Sequence, residues 1–117
     1  MTERDRESVG LTSAGQRTLA EIEARHWFGE GQDIARFAMS YAIRAGVAEG
    51  QVAGTETRWA VGNFDKTNEI RSVLAALYPD CTTPVRLMEY LVDEGLQMVD
   101  ARLKAGATGP DRLMEDI

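Results

Sequence analysis

The chain holds one cysteine and one histidine in 117 residues. A single thiol excludes an intrachain disulfide framework. One Cys and one His supply at most two soft ligands, too few for a structural zinc site within one chain. Proline is scarce, at 3 residues, and aromatics make up 7%. No apolar run approaches the ~18 residues of a membrane span, so no membrane partner is expected. The start, MTERDRESVG, lacks the apolar core of an export signal. With so little cysteine, the expected compartment is the cytoplasm. Positive charge is also short: 13 Lys+Arg against 19 Asp+Glu leave a net charge of −6. That excludes a strongly basic nucleic-acid coat. The acidity is uneven. Residues 1–88 carry ten basic and twelve acidic groups, and residues 89–117 carry three and seven. Eleven of the basic residues are Arg, which suits bidentate contact with carboxylate or phosphate.

What is present reads as one helical domain over 1–117, long enough for a core of its own. Residues 1–8 have few apolar anchors and are expected to fray; 107–117 form an acidic tail. Ser8 to Thr12 alternates small or polar with apolar residues, which fits one short strand or a loop. A first helix starts at Thr12 or Ser13, with Ser13 and Gln16 as a capping box, and runs to about His26. A second spans Gln32 to Ala45 and is closed by Gly46. Its polar stripe is only Gln32, Arg36, Ser40 and Arg44, so it should be surrounded on most sides, at the centre of the domain or of a dimer. Residues 46–64 are irregular and rich in glycine, with 58–61 a strand or a loop. A third helix begins at Asp65 or Thr67 and stops at Tyr78, with Ile70, Val73, Leu74, Leu77 and Tyr78 on one stripe. A fourth starts sharply at Thr83-Pro84 and carries an apolar face from Leu87 to Leu103. Gly95 within it costs roughly 1 kcal/mol against alanine, which points to a close helix crossing. Residues 111–117 suit one last turn, docked by Leu113, Met114 and Ile117. The expected class is therefore mainly all-α: a compact four-helix domain with room for one short N-terminal strand.

Catalytic constellations are missing. Nucleophilic catalysis needs a base beside the nucleophile, and the only histidine, His26, adjoins Trp27 and Phe28 as the end of a core-facing helix would. Cys81 has no His or Lys neighbour in sequence and reads as a structural or incidental thiol. The GEGQ stretch lacks the lysine of a phosphate-binding loop, although it offers free N–H groups at a helix start. No enzymatic activity, metal or cofactor is expected.

Residues 6–45 run as a short alternating segment, a helix, a glycine-containing turn and a second helix. This order resembles the ribbon-helix-helix DNA-binding proteins. The resemblance implies a strand paired across a dimer, with Arg6, Ser8, Gly10 and Thr12 facing the groove and Gly31 and Gln32 meeting the backbone. The second helix would then form the dimer core. A longer likeness covers roughly 31–105. GQDIARFAMSYAIRAGV, NFDKTNEIRSVLAALYPD and TPVRLMEYLVDEGLQMVDARL are together similar to small accessory proteins of bacterial DNA phosphorothioation (Dnd-type) defence systems. That likeness implies a non-catalytic helical accessory protein, with a larger defence-system subunit as partner and a setting close to DNA.

Two functions follow. In the first, an accessory protein of DNA modification or anti-phage defence contacts DNA through Arg6, Gln32, Arg36, Arg44, Arg58, Lys66 and Arg71. In the second, a protein–protein adaptor works without DNA. Glu89, Asp93 and Asp100 on the acidic helix would then meet a basic partner, and Trp59 or Phe64 would anchor it, since aromatic side chains dominate binding hot spots. A homodimer fits either reading.

Overall fold

A computed structural model describes residues 4–113. The described residues are mostly helical, with one two-stranded antiparallel sheet. In order they are β1 (Ser8–Leu11), α1 (Ser13–Glu23), α2 (Gly31–Arg44), β2 (Glu56–Ala60), α3 (Val61–Phe64), α4 (Glu69–Leu77), α5 (Pro84–Lys104) and α6 (Pro110–Leu113). Against four expected helices there are six, because single turns form at α3 and α6. Both segments left open between strand and loop are strands. The suggested docking of Met114 and Ile117 lies outside the described residues, but Leu113 is fully buried.

The hub is α5 rather than α2. Eleven of its 21 residues are buried, and α2, β1, α1, α4 and α6 all pack against it. At ~1.5 Å per residue it spans roughly 30 Å, long enough to meet all five of these elements along its length. Where α2 crosses it, Gly95 meets the backbone of Ala38, so the glycine marks the close crossing its position implied.

Strand β1 pairs with β2 in the same chain. Ser8 lies opposite Ala60 and Val9 opposite Trp59, then a bulge, then Gly10 opposite Thr57 and Leu11 opposite Glu56. The extra residue is Arg58 on β2, as a bulge requires. Gly10 is where only glycine fits, because a Cβ there would lie 2.7 Å from the Glu56 carbonyl oxygen. The ribbon that the resemblance places between two chains is here made within one.

Polar contacts fasten the N-terminal segment along α5. Residues 4–8, expected to fray, are part of this strap. The Asp5 carboxylate accepts the Val85 and Arg86 N–H groups, each at 3.0 Å, and so caps α5 where the Thr83 side chain does not. Arg6 Nε lies 2.8 Å from Glu89 Oε1. The Gly10 N–H donates to Glu89 Oε2 at 3.0 Å. The Thr12 hydroxyl accepts the Gly15 N–H at 3.0 Å and donates to Asp93 at 2.8 Å. Thr12 is therefore the N-cap of α1, one residue before the expected Ser13. The helix stops at Glu23, and His26 follows it exposed, in the left-handed region at φ 57°. It is not the core-facing end that the sequence suggested.

Candidate functional site

Helix α4 is the least covered apolar element. Six of its nine residues are Ile, Val, Leu or Ala, yet only Leu74 is buried. Val73 and Leu77 are 52% and 53% exposed, one helical turn apart on one stripe. Single exposed apolar residues need no explanation, but a contiguous patch does. The patch continues into a groove of about 260 Å³ between α4 and α2. Met39, Ser40 and Ile43 line it from α2, and Glu69, Ile70 and Val73 from α4. The expected stripe of Ile70, Val73, Leu74, Leu77 and Tyr78 thus divides: Leu74 enters the core, and Val73 and Leu77 face out.

The lie of α4 is set at both ends. Asn68 precedes it in the left-handed conformation, φ 64°. Asp65 is not in the helix but caps it: its carboxylate accepts the N–H groups of Ile70 at 3.0 Å and Arg71 at 3.1 Å, and Arg71 Nε at 2.8 Å. Burial pushes this carboxyl up, but Arg71 and the two backbone donors outweigh it and hold it below its ordinary 3.8. At the other end the Tyr78 hydroxyl donates to the Val47 carbonyl at 2.7 Å, and burial raises its pKa. The groove therefore has walls fixed by specific bonds.

These bonds give an acid-stability prediction. Because the folded Asp65 carboxyl titrates below its unfolded value, its stabilisation is complete above that value and is lost as the pH falls through the folded one. Asp65→Asn should cost roughly 2 kcal/mol at neutral pH, the scale of hydrogen bonds to a charged group. It should also flatten the acid limb below about pH 5. Urea midpoints measured against pH for both proteins check this.

Of the residues expected to contact nucleic acid, Gln32, Arg36, Lys66 and Arg71 come together around Phe64 and Asp65, but several of the seven are committed elsewhere. Arg6 pairs with Glu89, and Arg71 with Asp65. Arg36 donates to Asp33, to the Phe64 carbonyl and to Gln32 Oε1, so Gln32 is engaged as well. Arg44, Arg58 and Lys66 are exposed. Arg44 ends α2, whereas Arg58 stacks on Trp59, whose ring approaches Gly31 at the start of α2. The 14 residues of α2 separate these two positions by roughly 20 Å. The α2 start is itself occupied by acid, since Asp33 accepts the Glu30 N–H at 3.0 Å.

The expected adaptor residues fare unevenly. Glu89 and Asp93 do not lie on a solvated face: they are 2% and 8% exposed, because β1 and the start of α1 cover that side of α5. Of the three acids only Asp100 reaches the surface, where it pairs with Lys104 at 2.7 Å and raises the lysine's pKa. Phe64 is buried at 1% exposure, with Trp59 tilted against it at 5.6 Å. Neither is a free anchor. The residues that do present apolar surface are Val73 and Leu77, which share their stripe with buried Leu74. No local signal in the sequence separates them from Leu74 on the same stripe.

Among the described residues, no three His, Cys, Asp or Glu side chains stand together as a metal-binding group, and no helix is long and apolar enough to cross a membrane. Compared with known proteins, the chain matches no family model, and no curated protein or solved structure is significantly similar to it.

Proposed function

We propose that the protein is a non-catalytic accessory subunit that docks onto a larger protein partner through the α2–α4 groove. The observation that carries this reading is α4, whose apolar face is half exposed at Val73 and Leu77. The likeness to Dnd-type accessory proteins supplies the setting, a bacterial DNA-modification and anti-phage system. The net charge of −6 and the pairing of Arg6, Arg36 and Arg71 favour protein over DNA as the first partner. The test is co-expression with each large subunit of a phosphorothioation system. Co-purification should occur with the wild type and be lost with Val73→Asp/Leu77→Asp. Retention by the double variant would move docking off this groove.

A second reading, direct contact with DNA, is favoured by the ribbon. Thr57 and Arg58 are exposed on β2, and two-stranded ribbons can enter a major groove. Fluorescence anisotropy with a duplex across a salt series separates the readings. Docking without DNA predicts no binding at low salt, even at the ~10⁻⁴–10⁻⁶ M typical of non-specific association. Binding that falls steeply with salt, and that Arg58→Ala weakens, would favour the ribbon.

A further inference from the structure

We infer that the occupant of the α2–α4 groove is an amphipathic helix of the partner, with its apolar stripe flanked by lysine and arginine. The inference rests on the docking reading above and adds the chemistry of what docks. A groove between two helices, with an apolar floor and two fixed walls, takes a third helix through residues spaced i, i+3, i+4 and i+7. Leu74 and Met39 form the floor, both nearly fully buried, and Ile43, Ile70 and Val73 rise from it.

Charge decides which helix. The one ionisable group in the wall is Glu69, exposed in the first turn of α4. Asp80 and Glu49 are exposed too, Asp80 three residues past the end of α4 and Glu49 two residues past Val47, which Tyr78 tethers. Lys66 and Arg44 are exposed as well, before the start of α4 and at the end of α2, and offset part of this. The whole molecule, at net −6, attracts a cationic segment and repels a second copy of itself. A second copy is also a poor fit by size. The exposed face of a nine-residue helix is roughly 13 Å long and about 10 Å wide, an area of roughly 130 Å² and well short of the ~800 Å² per partner of a standard interface. A single helix seated between both walls needs no such area.

The test uses the full-length protein and three fluorescent synthetic helices about four turns long. Each has leucine at the i, i+3, i+4, i+7 positions and lysine, glutamine or glutamate elsewhere. Anisotropy titrations are run on the wild type, on Val73→Asp/Leu77→Asp and on Glu69→Lys, with circular dichroism confirming that each variant is folded. The expected order is lysine, then glutamine, then glutamate, with roughly tenfold between the extremes at low salt. The Asp double variant should lose at least roughly tenfold for the lysine peptide, and Glu69→Lys should narrow or reverse the order. If all three peptides bind alike and the Asp variant abolishes each, the basic partner is overturned while the groove stands. If the lysine peptide binds wild type and Asp variant equally, attraction to the acidic surface explains it and the groove is overturned as its site. Failure of all three to bind overturns the inference.

Discussion

Gly95→Ala is expected to be among the most damaging single-methyl changes in this protein. A Cβ at Gly95 would overlap the carbonyl group of Ala38 and come within 3.0 Å of its Cα. The obstacle is backbone inside a helix, so no side-chain rotation relieves it. Helix α2 must lift from α5, and the contacts of Ala35, Ala38 and Ala42, all fully buried, open with it. Overpacking ordinarily costs about 1–3 kcal/mol, and a clash with helix backbone belongs at the upper end. For a domain of this size that is a large part of the ~5–15 kcal/mol total and roughly 10–15 °C in Tm. Gly62→Ala is the control. Nothing lies within 4 Å of where its new methyl group would sit, and its φ is not in the left-handed range, so it should be neutral or gain up to about 1 kcal/mol. Urea denaturation and calorimetry on the two variants check both values. Equal stability of the two would mean that the crossing is loose.

This crossing could be anticipated from sequence because glycine inside an otherwise strong helix has few causes. The same holds for the Thr83-Pro84 start, for Gly46, which takes φ 81° and closes α2, and for the alternation at Val9 and Leu11. In each a local rule and the tertiary structure agree. The misses are places where a distant residue supplies what a local rule assigned to a neighbour. Of the two starts the sequence offered for α1, Thr12 rather than the Ser13 capping box supplies the cap, and Asp93, 81 residues away, holds its hydroxyl. The α5 start is capped by Asp5, and no pattern near Thr83 reveals that. The hub moved from α2 to α5 because buried Glu89 and Asp93 read as a polar face in sequence.

The groove was illegible for a different reason. Ile70, Val73, Leu74 and Leu77 cover an arc of about 100° on a helix, the width of an ordinary core stripe. Periodicity tells that such a stripe is covered, not whether this chain or another covers it. Likewise the eleven arginines suggested phosphate contacts, but a count cannot show that Arg6 and Arg71 face Glu89 and Asp65. Only distances in three dimensions separate a cation available to a ligand from one spent on a buried carboxylate.

Glu89 is where that distinction has its largest energetic consequence. Its side chain is 2% exposed and joins two parts of the N-terminal strap: Oε1 faces Arg6 at 2.8 Å, and Oε2 accepts the Gly10 N–H at 3.0 Å. Glu89→Ala would leave the buried Gly10 donor without this acceptor and release Arg6. Breaking a buried pair costs about 3–5 kcal/mol, and the lower figure applies because the Arg6 side chain is 36% exposed and screened by water. Glu89→Gln keeps an amide oxygen for Gly10 while removing the charge, so it should cost only about 1 kcal/mol. Hydrogen exchange at the Gly10 amide separates the hydrogen bond from the ion pair. Exchange should accelerate strongly in Glu89→Ala and only slightly in Glu89→Gln. Should the glutamine variant instead lose as much stability as the alanine one, the Arg6 pair rather than the Gly10 bond holds β1 on α5. The strap would then loosen with added salt, as a screened ion pair must, whereas a strap held by the Gly10 bond would be nearly indifferent to it.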